Sequence, residues 1–224
     1  MTDVADDLQL IVTLTDEEVG VLIDQCGVDL PLPSIDAPDR SRPDAAAHTA
    51  RRSLMARGLC DGTGAPIDDV RELVSSLRDQ VIRGERMVAD RIDHLRVARS
   101  PEGFVADLIT GDGFHQFVAG TPDGLADILA GWVVPIECAF RGGVELQLTR
   151  QQLAAQPELL ARLGEIEVVT TMTANHVTAQ EFSVYAGVDR AVRAVSTGDG
   201  VDFTSIDETE LRTLLSSLLG QAVS

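Results

Sequence analysis

The sequence predicts an α+β fold in which two related halves, 8–133 and 143–219, share one largely antiparallel central sheet flanked by helices. Three observations predict it. Leu8 to Thr15 (LQLIVTLT) alternates apolar and polar residues and stops at Thr15-Asp16-Glu17-Glu18. Gly143 to Thr149 (GVELQLT) does the same ahead of Thr149-Arg150-Gln151-Gln152, and each reads as strand, capping box, helix. The tetrapeptide Thr-Gly-Asp-Gly occurs at 110–113 and again at 197–200, each time between strand-like runs and ahead of a capped helix. A period of about a hundred residues or more is too long for a solenoid unit and points to a duplicated half-domain with quasi-twofold symmetry inside a single domain, 1–224.

The elements follow in order. After the first strand, a helix over 16–26 sets Val19, Leu22, Ile23 and Cys26 on one face, with Gly27 where a left-handed cap falls. The proline-rich stretch DLPLPSIDAPDRSRPD reads as a connector, and a second helix fits 45–57, ending at Gly58. A third is expected over about 67–82, because Val70, Leu73, Val74, Leu77 and Val81 recur at helical spacing. Strands are expected at 86–92, 95–99, 104–110 and 114–119, the last two joined by a Gly-Asp-Gly hairpin. Thr121 and Pro122 open a helix to about Leu129. The second half reads as a strand over 144–148, a helix from Arg150 bent near Pro157, and strands at 166–173, 182–186, 190–195 and 201–204. A closing helix over 208–219 is capped by Asp207 with Glu210. Strands linked by short turns favour antiparallel pairing.

Composition excludes several function classes. The 44% hydrophobic content suits a globular core. No apolar stretch reaches the roughly 18 to 20 residues needed to span a bilayer, and the opening MTDVADDLQL is acidic where a secretory signal is basic. The expected address is the cytoplasm, with no membrane insertion. Acidic residues outnumber basic ones 36 to 18, a formal charge of −18, which repels nucleic-acid phosphates. All the basic residues are Arg, a bias that a high-GC genome produces. Cys26, Cys60 and Cys138 form no close pair, so no disulfide framework is expected, and Cys26 and Cys138 read as small core residues.

Candidate chemistry is thin. The Gly-Asp-Gly turns lie between strands and read as hairpins, not phosphate loops. Asp61-Gly62-Thr63-Gly64 lacks the Lys-Ser/Thr ending of a nucleotide loop. His48, His94, His115 and His176 are scattered with no metal-ligand spacing, and His94 beside Asp93 reads as an exposed turn residue. There is no Gly-x-Ser-x-Gly elbow, and the acidic pairs 6–7, 17–18 and 68–69 fall at helix starts or a terminus, where they oppose the helix dipole. Trp132 and Phe140 read as packing residues at the boundary of the halves. No catalytic residue, cofactor or metal is expected, and what is left is an acidic scaffold with open sheet edges, suited to binding protein. The alternatives are a small-molecule-binding or self-associating sheet module of an unrelated pathway, and an enzyme with a dispersed site based on His94 or His176.

Three passages resemble the EspG family, cytosolic chaperones of actinobacterial type VII (ESX) secretion. The opening LTDEEVGVLIDQCGVDLPLPSI is similar to that family's Leu-Thr-x-x-Glu helix and its Leu-Pro-x-Pro-like stretch. ARRSLMARGLCDGTG is similar to its Ala-rich helix ending in Arg-Gly-Leu and an acidic turn. The strand, Gly-Asp-Gly turn, strand and short helix occur once in each half. Relative to that family the chain is short between Gly143 and about Gln180. The resemblance implies a non-catalytic chaperone or adaptor that binds a PE–PPE heterodimer by the helical tip of its PPE subunit. It maps partner contacts onto the sheet face and onto Arg99, Ser100, Pro101, Glu102 and Gly103.

Overall fold

A computed structural model describes residues 8–30, 43–135, 137–155, 160, 163–174 and 180–223. The body of the proline-rich connector, the bend expected at Pro157, and His176 lie outside them. The first half contributes β1 (Leu8–Thr15), α1 (Asp16–Cys26), α2 (Pro43–Ala56), α3 (Asp68–Ser76), β2 (Gln80–Val88), β3 (Arg91–Ser100), β4 (Gly103–Ile109), β5 (Phe114–Gly120) and α4 (Pro122–Val133). The second contributes β6 (Glu145–Thr149), α5 (Arg150–Ala155), β7 (Val168–Ala174), β8 (Gln180–Ala186), β9 (Ala191–Thr197), β10 (Gly200–Ile206) and α6 (Glu208–Val223). Among the described residues these strands form one open antiparallel sheet in the order β1-β5-β4-β3-β2-β7-β8-β9-β10-β6. The order reads the same from either end once β1 is matched with β6 and β2–β5 with β7–β10. The predicted α+β fold stands.

The chain divides into two compact units, 1–80 with 94–121, and 81–93 with 122–224. In the first, the expected capping box forms: Thr15 Oγ1 accepts from the Glu18 N–H and Glu18 Oε2 accepts from the Thr15 N–H at 3.1 Å. Gly27, at φ 61°, ends α1. Leu22, Leu54 and Val74, from α1, α2 and α3, pack with Leu14, Val105 and Phe117 of the sheet in one core. Burying Leu22 or Phe117 fully is worth about 1.5–3 kcal/mol each. Glu18, only 4% exposed, also accepts from Ser53 Oγ at 2.7 Å and from Arg57, so a single carboxylate joins the end of β1, α1 and α2.

The third helix differs from expectation. It ends at Ser76 and the chain enters β2 at Gln80, so Val81 belongs to a strand. Leu77 and Val81 are buried, as their spacing implied, but β-branched Val81 and Ile82 satisfy a pleat as well as a helix face. The strand expected over 86–92 is accordingly split: β2 ends at Val88, Ala89 takes φ 54°, and β3 begins at Arg91.

In the second unit Val168, Thr170, Met172 and Ala174 of β7 are buried on the side of the sheet where α4 packs, and α4 packs on α6. The Thr170 hydroxyl donates to the Val133 carbonyl at 3.1 Å and so satisfies an acceptor at the end of α4. Asp207 and Glu210 cap α6 as expected. Arg212 of α6 bonds both Glu208 and Asp127 of α4. A smaller core, with Val144, Leu148, Leu163, Val192, Ala194 and Phe203, underlies the outer strands.

Both Thr-Gly-Asp-Gly turns are hairpins, but not the same hairpin. Residues 110–113 form a four-residue loop closed by Gly113 N–H to Thr110 O at 2.9 Å, with Gly113 at φ 85°. In the second copy Thr197 pairs directly with Gly200, leaving only Gly198 and Asp199 in the turn. Each loop nevertheless receives the first N–H of a helix. Asp16 donates to Gly113 O at 2.9 Å and Arg150 to Asp199 O at 3.0 Å.

Candidate partner-binding surface

In the second unit, one face of β2, β7 and β8 is exposed along β2 and at Glu181 and half-buried elsewhere, where Tyr185 leans on Phe203. β2 alternates buried and exposed residues, with Arg83, Glu85 and Met87 turned outward. The registers place them in three rungs: Met87, Val169 and Tyr185; Glu85, Thr171 and Ser183; Arg83, Thr173 and Glu181. The first rung is apolar with a phenol at its end, the second carries hydroxyls, with Thr171 and Ser183 bonded at 2.9 Å, and the third is charged. Met87 and Ile92, at the start of β3, are each 49% exposed. Such a surface offers apolar contact, hydrogen bonding and charge side by side, the mixture found at protein interfaces.

In the first unit, Arg99 to Gly103 form the tip of the β3–β4 hairpin. Ser100 pairs with Gly103, Pro101 and Glu102 make the turn, and Arg99, Pro101 and Glu102 are exposed. Gly103 is required there: it sits at φ 144°, and a Cβ would lie 2.7 Å from the Gly120 carbonyl oxygen. The tip is therefore a shaped protrusion held by backbone geometry.

The other candidates resolve plainly. The Asp61 carboxylate accepts from the Thr63 N–H, the Thr63 hydroxyl and the Ala65 N–H, and these bonds, Thr63's first, hold it below its ordinary pKa. The loop's donors are thus spent internally. Cys60 and Cys138 are buried, Cys26 partly so, and burial raises all three thiols. Trp132 is buried in α4. His48 is exposed on α2. His94 is not in an exposed turn: it is half-buried in β3 opposite Ile109, because β3 begins at Arg91, and Asp93 pairs with Arg91 at 3.0 Å. No cluster of metal-binding side chains occurs among the described residues, and none of their helices is long and apolar enough to cross a membrane.

Sequence reasoning missed one constellation. His115 is completely buried, with Nδ1 2.9 Å from Asp107 Oδ1 and Nε2 2.7 Å from Asp16 Oδ1. Arg96 lies 3.9 Å from the other Asp107 oxygen. Burial alone lowers the imidazole pKa, but the bonds and charges of Asp107 and then Asp16 outweigh it and hold His115 above its ordinary value. Both ring nitrogens are occupied and neither is exposed, so the ring has no atom to offer a substrate. Asp107 lies 8 residues from His115 and Asp16 lies 99 away; the β4–β5 register and the α1 start bring the three together.

No family model matches this sequence, and no curated protein matches it. Among solved structures, that of the Mycobacterium tuberculosis type VII secretion system chaperone EspG5 in complex with a PE25–PPE41 dimer is similar over 94% of this chain and 96% of that one, with a TM-score of 0.63 at 10% identity. The two share a fold. At that identity the likeness reaches no further than the architecture already described.

Proposed function

We infer that the protein is a non-catalytic chaperone or adaptor that binds a PE–PPE-type heterodimer in the cytosol on behalf of type VII secretion. The observation that carries this reading is the fold likeness over nearly the whole of both chains to a chaperone solved with a PE–PPE dimer. The open rungs on β2, β7 and β8 support it, since an exposed sheet face with apolar Met87 and Ile92 among polar groups suits the side of a helical partner. The β3–β4 tip, Arg99, Ser100, Pro101, Glu102 and Gly103, serves in this reading as a second contact. A stable complex of this kind buries about 1,200–2,000 Å² in total.

Co-expression with each PE–PPE pair of the native host tests it. One pair is expected to co-purify at moderate salt. Met87→Glu, on an exposed site, is expected to leave folding unchanged and weaken that complex at least about 30-fold, the effect of losing a central contact of about 2 kcal/mol. Failure of every pair to co-purify sinks the reading; a complex insensitive to Met87→Glu moves the contact off this face.

A further inference from the structure

The Asp16–His115–Asp107 set exists in the first half only. Leu14 faces His115, and in the second half Leu148 faces Val201. By the same registers Phe117 corresponds to Phe203, Asp107 to Ala194 and Arg96 to Ser183, and Arg150 opens α5 where Asp16 opens α1. The same strand–turn–helix junction is thus closed a second time with apolar and neutral residues at the three strand positions. The topology does not need the buried charges. Burying them costs solvation, and apolar replacement of such sets is often neutral or stabilising, so their presence calls for a role other than holding the fold.

The geometry specifies that role. A carboxylate offers only lone pairs, so an imidazole lodged between two of them needs a proton on each nitrogen. Asp107 faces it from β4 and Asp16 from α1, while on β3 Arg96 lies 3.9 Å from Asp107 and the half-buried His94 stands opposite Ile109. β1 contributes apolar Leu14, and Phe117 stacks at 6.1 Å. Glu18 of α1 is turned toward Ser53 and Arg57 of α2, and α3 faces this core with Val70, Leu73, Val74 and Leu77. With His115 protonated the two carboxylates are balanced by two cations. Without that proton a net negative charge is buried and one ring lone pair confronts a carboxylate.

We propose that this set is a proton-operated latch: protonated His115 holds the N-terminus of α1 on the β4–β5 hairpin, and loss of the proton releases it. The sign follows from the direction of the His115 shift. A folded pKa above the ordinary 6.5 means that the stabilisation is fully present below about that pH and is lost as pH rises through the folded value. Across that window the closing equilibrium weakens by up to about tenfold per pH unit.

Hydrogen exchange on the full chain between about pH 6 and 9, corrected for intrinsic rates, tests the latch. Opening of the α1 amides is expected to rise with pH by up to about tenfold per unit while β7 and β8 stay unchanged. Asp16→Asn is expected to move the rise to lower pH. The second half's own residues, introduced as Asp16→Arg, Arg96→Ser, Asp107→Ala and His115→Val together, are expected to keep α1 protected with no pH dependence. A wild-type α1 whose opening is flat over this range overturns the proposal, as does a fourfold variant that retains the wild-type profile. Should that variant not fold, NMR titration decides: a His115 ring titrating above its ordinary value, and lower in Asp16→Asn, supports the latch, and one titrating at or below about 6.5 in the wild type refutes it.

Discussion

Glu18 lends itself to a test that separates hydrogen bonding from charge. Its carboxylate accepts from the Thr15 N–H at 3.1 Å, Ser53 Oγ at 2.7 Å and Arg57 Nη1 at 3.0 Å. Glu18→Gln keeps an oxygen for the Thr15 N–H but removes the charge facing Arg57. A charge-assisted bond is worth about 1.5–3 kcal/mol, yet the Arg57 side chain is 38% exposed and can turn to water, which discounts the loss to about 1–2 kcal/mol. Glu18→Ala removes the same interaction, the cap bond, about 1 kcal/mol, and the Ser53 bond, about another 1 kcal/mol. Its expected cost is about 3–4 kcal/mol. Urea unfolding of both variants, read as a shift in midpoint at constant slope, makes the comparison. In a Glu18→Ala background, Arg57→Met should cost only about 1 kcal/mol, the worth of the bond that Arg57 Nη2 still donates to the Thr13 carbonyl oxygen at 2.7 Å. Equal losses for Gln and Ala, within about 0.5 kcal/mol, would refute the division, because the cap and the Ser53 bond would then contribute nothing.

Gly103→Ala should destabilise by about 1–3 kcal/mol, since its φ of 144° and the Gly120 oxygen 2.7 Å from the new Cβ both oppose it; thermal unfolding reads this, and a neutral result would mean that the β3–β4 tip relaxes freely. Thr170→Val removes a buried hydroxyl and strands the Val133 carbonyl, with an expected cost of about 1–2 kcal/mol by chemical denaturation.

What the sequence revealed depended on how local the cause was. The ends of α1 were readable because a capping box and a C-terminal glycine act over a few residues, and β4, β5, β9 and β10 were readable from alternation around tight turns. The end of α3 was not, because Leu77 and Val81 fit a helical face and a pleated strand equally, and the choice was made by β2 pairing with β7, about ninety residues on. His115 was opaque for the same reason in stronger form. Asp107 is only 8 residues away, but its place beside the ring depends on the β4–β5 register, and Asp16, 99 residues away, reaches it only through the start of α1. The open rungs on β2, β7 and β8 were half visible, since the outward positions of β2 alternate, but which faces stayed uncovered was settled by the packing of α4 and α6.

The pairing of β1 with β5 sets a schedule for synthesis. β1 is made well before β5, its partner among the described residues, which lies roughly a hundred residues downstream. At about 5–20 residues per second, a strand reading LQLIVTLT waits on the order of 5–20 s for that partner. β6 waits about half as long for β10. The sheet's two outer strands are made early and placed late, while the meanders β2–β5 and β7–β10 assemble through short hairpins as they appear. The longer exposed interval falls on β1, where a chain waiting to close would be most open to pairing with a neighbour of its own kind.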